Sequence, residues 1–164
     1  MSSWKYSVLL VDDDESVRES LRKLLESDGF HVISVSNGVE ALEAFGRAQS
    51  QFDLLLMDLN MPMKNGWVTL DRVRELNPHL PVFIITGLSQ QGEMAEAAGA
   101  SVLVEKPIDL AGLIWLIQRQ MAASTQTGGH QEFPFYRLPA ARDASRGQWV
   151  DSPAIAYNHW GLNE

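Results

Sequence analysis

Five short apolar runs punctuate the first three quarters of the chain, at residues 6–11, 31–35, 52–57, 82–85 and 102–104. Each has the length of a strand and is rich in Val, Ile and Leu. Between them the apolar positions recur at helical spacing. Val17, Leu21, Leu24 and Leu25 predict a first helix, with Gly29 as its stop. Asn37 can cap a second that carries Ala41, Leu42, Phe45 and Ala48. Trp67, Leu70 and Val73 mark a third, which must end before Pro78. Residues 89–98 give a weaker fourth with Gly92 inside it, and Leu110, Leu113, Ile114, Ile117 and Met121 give the clearest stripe of all.

Strands alternating with helices predict an α/β fold, a five-stranded parallel sheet covered on both faces. Continuous apolar runs, rather than alternating ones, fit strands buried on both sides. From about Ala122 the texture changes. "AASTQTGGHQEFP" is small, polar and glycine-rich, and reads as a linker. The rest, to Glu164, has three prolines and no helical or strand period, yet it holds Phe133, Phe135, Tyr136, Trp149, Tyr157 and Trp160. The expected division is therefore 1–122 for the domain and 123–164 for a linker and extension. The aromatics fit a docking or self-association arm; the composition fits a disordered extension equally well. With 42 residues, the extension is short for an independent domain, which usually needs about 50 or more.

In a doubly wound sheet the ligand site lies beyond the carboxyl ends of the strands. The first strand ends in Asp12, Asp13 and Asp14; the third in Asp58; the fourth in Thr86; the fifth in Lys106 and Pro107. If the first and third strands are neighbours, their ends lie about 5 Å apart, and three carboxylates share one small pocket. Like charges at that range cost several kcal/mol unless something neutralises them. A divalent cation can do so, with Lys106 as a further positive charge. Mg²⁺ suits the donors, being hard, oxygen-seeking and content with one or two carboxylates plus water and phosphate oxygens. A carboxylate held beside a cation, a hydroxyl and an ammonium can attack a phosphoryl group and become an aspartyl phosphate. Asp58 is so placed, and Mg²⁺, Lys106 and the Thr86 hydroxyl would stabilise the charge that spreads over the phosphoryl oxygens. Asn60 can offer its backbone carbonyl to the metal, and Pro62 and Gly66 shape the loop between.

Charge and composition remove several alternatives. With 13 Lys and Arg against 21 Asp and Glu, the net charge of −8 disfavours a nucleic-acid binder, and the extension, with three Arg against four acids, carries no helix-turn-helix pattern. Without cysteine there is no disulfide framework, thiolate zinc site or thiol nucleophile. The four histidines, His31, His79, His130 and His159, share no ligand spacing. No apolar run approaches the roughly 20 residues of a membrane helix, and the start does not read as a secretory signal. A cytoplasmic protein is expected.

Together "VLLVDDDESVR", "LLLMDLNMPMKNG", "VFIITG" and "VLVEKPI" resemble the receiver domain of two-component response regulators. The resemblance runs from about residue 5 to about residue 122. It implies a flavodoxin-like sheet in the order 2-1-3-4-5 and Mg²⁺-dependent phosphorylation by a histidine kinase or histidine phosphotransferase. By motif match, Asp58 is the phosphoacceptor, Asp13 the direct metal carboxylate and Asp12 a ligand acting mainly through water. Asn60 gives its carbonyl, and Thr86 and Lys106 contact the phosphoryl group. The resemblance also implies a cis Lys106–Pro107 peptide and an output surface on the fourth helix, fifth strand and fifth helix, through which a homodimer could form. Three positions depart from the family. Gly87 follows the switch threonine where alanine is usual, which should loosen that turn. Ile108 stands where phenylalanine is familiar. Leu103 stands where the family has the aromatic that rotates into the space Thr86 leaves, and a leucine cannot make the same swing.

The expected function is thus a stand-alone receiver that signals through protein contacts and turns over no external substrate. Two alternatives stand beside it: a phosphate shuttle or sink, and a receiver-like dimerisation scaffold independent of phosphorylation. A phosphatase of the haloacid dehalogenase type would need a second aspartate two residues after the nucleophile, and that position is Asn60.

Overall fold

In a computed structural model of the chain, the described residues are 4–48, 51–61, 66–88, 90–126 and 134–141. Strands and helices alternate in the order β1 (Tyr6–Val11), α1 (Glu15–Ser27), β2 (Phe30–Val35), α2 (Gly38–Ala48), β3 (Leu54–Asp58), α3 (Gly66–Leu76), β4 (Val82–Thr86), α4 (Gly92–Ala97), β5 (Val102–Glu105), α5 (Leu110–Gln126) and β6 (Tyr136–Leu138). Among the described residues they form one six-stranded sheet, all parallel, in the order β2-β1-β3-β4-β5-β6.

The apolar runs are continuous because each strand feeds two cores at once. Val8 and Leu10 of β1 face the layer that holds Leu21 and Leu25 of α1 with Leu113, Ile117 and Met121 of α5. Leu9 and Val11, one position out of phase, face Ala41 and Phe45 of α2 with Leu70 and Val73 of α3. The same alternation divides Leu54 and Leu56 from Leu55 and Met57. Caps fix the helix starts. Asp14 accepts the N–H groups of Ser16 and Val17 at 2.9 and 3.1 Å, and Asn37 accepts that of Glu40 at 2.9 Å. Gly29 takes a positive φ of 90° just past α1, the left-handed stop that glycine permits. The expected strand order 2-1-3-4-5 is present, with element ends within two or three residues of those read from the pattern except at the end of α5.

The C-terminal side differs from the sequence reading. Helix α5 runs on to Gln126, past the expected boundary at residue 122. Beyond it, β6 pairs with β5 in the register Val102↔Tyr136, Leu103↔Arg137 and Val104↔Leu138. Its side chains alternate as a sheet strand requires. Tyr136 and Leu138 join the core under α5, while Phe135 packs on the core under α2 to α4. Arg119 lies over the rings of both Trp115 and Tyr136, at 5.2 and 5.6 Å from their centroids. The segment carried no readable period because three strand residues between Pro134 and Pro139 are too few to show one, and prolines belong at sheet edges. Trp149, Tyr157 and Trp160 lie outside the described residues, as do Phe133 and Pro62.

If β6 belongs to the core, Leu138→Ala should lower the unfolding free energy by about 2 kcal/mol, the lower range for a buried leucine. Urea denaturation measures this directly; a loss below about 0.5 kcal/mol would place Leu138 among ordinary surface positions.

Candidate functional site

The described strand ends converge on one side of the sheet. Asp12 follows β1 directly, and its N–H still donates to the Val35 carbonyl at 3.2 Å, so it is held as part of the β1–β2 ladder. Its carboxylate turns back along the chain, where Oδ1 accepts the Asp14 N–H at 2.9 Å. Arg18, one turn into α1, donates to the Asp12 carbonyl at 2.8 Å. These bonds fix Asp12 and Asp14 and leave Asp13 between them, exposed.

Asp58 is the last residue of β3, and its Oδ1 accepts the Asn60 N–H at 2.8 Å. Its other oxygen accepts a hydrogen bond from Lys106 Nζ at 2.6 Å. Lys106 reaches this place because its backbone N–H donates to the Thr86 carbonyl at 2.8 Å, which continues the β4–β5 pairing one residue past β5. The Lys106–Pro107 peptide is cis. At the far side of the β3–α3 loop, Gly66 sits so close that an added Cβ would meet Leu59 Cα at 2.8 Å and the Asp58 carbonyl oxygen at 3.0 Å. Only glycine lets α3 begin this near the strand end.

Carboxylate oxygens of Asp12, Asp13 and Asp58 lie within 4.8 Å of one another. Asp12 and Asp58 are buried, at 0% and 2% exposure, and Lys106 is the ammonium among them. Burial pushes the Asp12 carboxyl up to about 6; the Asp14 N–H and the Lys106 charge pull it down, and the Asp58 and Asp13 charges add to the rise. Lys106 feels the opposite balance. Burial works against its charge, but the hydrogen bond and charge of Asp58, with Asp12 and Asp13 behind, outweigh it and raise the ammonium pKa. Asp12 Oδ2 is buried without a hydrogen-bond partner among the described residues, 3.9 Å from Lys106 Nζ. A buried anionic oxygen without a donor is costly. An oxygen-only donor set with one such atom free fits a hard divalent cation such as Mg²⁺.

Thr86 ends β4 and is fully buried. Its Oγ1 accepts the Leu88 N–H at 3.0 Å and donates to Gln91 Oε1 at 2.6 Å. Next to it, an added Cβ on Gly87 would meet nothing within 4 Å among the described residues, so none of them demands glycine there. Leu103 is fully buried in the core under α4. Beside it in register, Arg137 of β6 hydrogen-bonds Glu105, the residue before Lys106. A Cβ added to Gly92 would lie 3.7 Å from Arg137 Nη1 and 3.9 Å from Leu103 Cδ2, which places Arg137 and Leu103 together at the start of α4. Asp12, Asp13, Asp58 and Lys106 therefore form one cluster, with Asn60 on the loop after β3 and Thr86 at the end of the neighbouring strand β4. Gln91 carried no signal in the sequence, because a glutamine before a weak helix looks like any polar loop residue. Arg137 carried none because its strand was illegible.

The family model for the response regulator receiver domain matches residues 8–118. The transcriptional regulatory protein ZraR of Salmonella typhimurium is 33% identical over 155 residues, covering 93% of this chain and 33% of that protein. The response regulator MprA of Mycobacterium leprae is 32% identical over 151 residues, covering 87% of this chain and 65% of that protein. The chain thus spans a third to two thirds of the length of these relatives. Among solved structures, the chemotaxis response regulator CheY4 of Vibrio cholerae superposes with a TM-score of 0.64 at 28% identity, over 70% of this chain and 98% of that one. A response regulator receiver domain protein from Clostridium thermocellum gives 0.69 at 26%, over 73% and 97%. No helix of the described residues is long and apolar enough to cross a membrane.

A raised Asp12 carboxyl would make any cation binding at this cluster depend on pH. Below about 6 it carries a proton that a cation must displace. Mg²⁺ affinity, followed by calorimetric titration, should fall from about pH 8 to about pH 5, most steeply near 6, and Asp12→Asn should flatten the profile. An affinity independent of pH over that range would mean that Asp12 takes no part. Without metal, the folded-state pKa lies above the ordinary value of 3.8, so the stability held by protonated Asp12 is present at low pH and lost as pH rises through about 6.

Proposed function

The chain belongs to the response regulator receiver domain family, and from that premise we propose that Asp58 accepts a phosphoryl group from a phosphohistidine donor. The observation that carries the reading is the buried Asp58 carboxylate, 2.6 Å from Lys106 Nζ and grouped with Asp12 and Asp13. Asp12, Asp13, Asp58 and the Asn60 carbonyl would hold Mg²⁺, which when bound neutralises carboxylate and phosphoryl charge. The protein's own part is orientation. The Asn60 N–H and Lys106 grip one oxygen each of Asp58, so the nucleophile cannot turn freely. Lys106, hydrogen-bonded to Asp58, and the Thr86 hydroxyl would stabilise the negative charge of a transferred phosphoryl group. The donor would be a histidine kinase or histidine phosphotransferase, and the output a protein contact over α4, β5 and α5. Strand β6 covers the free edge of β5, so a homodimer across that face would have to build on β6 or displace it.

Leu103 favours a second reading. It is packed solid under α4 with Arg137 beside it, and it has no ring to swing. A shuttle or sink passes phosphoryl groups on without a conformational output. Beryllofluoride, a phosphoryl mimic, should then move amide resonances of the active-site loops and leave those of β5, β6 and α5 in place. Large shifts in those three elements would refute the shuttle.

The phosphoacceptor itself is tested by intact mass after incubation with acetyl phosphate and Mg²⁺. One added phosphoryl group is expected, absent from Asp58→Asn and absent without metal, while Lys106→Met should slow its appearance about a hundredfold. Labelling of the Asp58→Asn chain, or none of the unaltered chain, would reject Asp58 in this role.

A further inference from the structure

The Thr86 hydroxyl has one proton to give. A backbone N–H only donates, so the contact from Leu88 uses a lone pair of Oγ1 and leaves the proton for the Gln91 amide oxygen 2.6 Å away. A phosphoryl oxygen on Asp58 would be an acceptor too. Thr86 can therefore serve Gln91 or the phosphoryl group, not both at full strength. The position of Gln91 sharpens the point. It stands at the N-cap of α4, yet its side chain makes no capping bond to the helix and turns to Thr86 instead. The bond is also sheltered, because Thr86 is fully buried and water competes poorly for its proton.

We propose that Gln91 is a positioning residue that restrains phosphorylation of Asp58 by competing for the Thr86 hydroxyl proton. The inference rests on the reading of Asp58 as phosphoacceptor and of Thr86 as a ligand of the phosphoryl group. With acetyl phosphate as donor, the bond from phosphorus to the acetate oxygen breaks and one from phosphorus to an Asp58 oxygen forms. Acetate leaves with the electron pair. Thr86 stays protonated throughout and only exchanges its acceptor. Part of the cost of forming the phosphorylated state is then the loss of the bond to Gln91, and removing that acceptor should lower it.

The test is a time course of phosphorylation in the full chain, by intact mass with acetyl phosphate and Mg²⁺. Gln91→Leu, similar in size but without an acceptor, should raise the rate or the plateau about three- to tenfold, the range of one neutral hydrogen bond. Gln91→Glu, a stronger acceptor, should lower it. General damage to the α4 turn would move both variants the same way, so opposite signs separate competition from structure. In a Thr86→Val background, which has no proton to contest, the gain from Gln91→Leu should vanish. An unchanged Gln91→Leu, a shift of both variants in one direction, or a gain that persists in the Thr86→Val background would each overturn the proposal. Failure of the unaltered chain to take up phosphate would instead bring down the Asp58 reading, and this inference with it.

Discussion

The contact between Lys106 and Asp58 is the constraint around which the functional end of the sheet is organised. Three carboxylates are brought to one place by the strand order, two of them away from water, and such a cluster is unstable without positive charge. Lys106 supplies one charge from the end of β5, and its reach depends on strand pairing that continues past the end of the regular ladder. One lysine does not balance three acids. Asp12 shows the strain, with a carboxyl raised by burial and further by the Asp58 and Asp13 charges, and with a buried oxygen that no donor among the described residues meets. The pocket is thus set to receive more cation than the chain itself provides, which is a property of its geometry rather than of any one residue.

Most of this was legible because the chemistry sits at predictable points in the pattern. A parallel sheet buried on both faces makes its strands read as uninterrupted apolar runs, so the polar residue ending each run stands out. Asp12, Asp58, Thr86 and Lys106 were all visible in that way, and the doubly wound rule says which end of the strands matters. What could not be read was anything that depends on lateral contact. The bond between Thr86 and Gln91 joins a strand end to a helix start across a loop, and no spacing announces it. The β6 strand was hidden for a similar reason. Its three residues alternate correctly, but its identity comes from docking against β5, a partner more than thirty residues earlier in the chain.

The two features that escaped the pattern meet in space. Gln91 is followed by Gly92, and Gly92 lies beside Leu103 and Arg137. Arg137 in turn holds Glu105, the neighbour of Lys106. Neighbouring residues therefore lead from the acidic pocket through the start of α4 to the added strand and back to β5. Leu103, where the sequence resemblance leads one to expect an aromatic, packs beside Gly92 and Arg137. There Arg137 adds a charge and a hydrogen bond to Glu105.

The added strand also moves the edge of the folding unit away from the edge of the family. The family match ends at residue 118, inside α5, whereas the hydrophobic core continues through Met121 to Leu138. A chain cut where the match ends would lose the last turns of α5 and bare the backbone of β5. An uncovered edge strand with apolar flanks is a template for pairing with other chains. Strand β6 therefore occupies the backbone groups that would otherwise make β5 an edge, and the packed core of this chain reaches beyond the span that its family model matches.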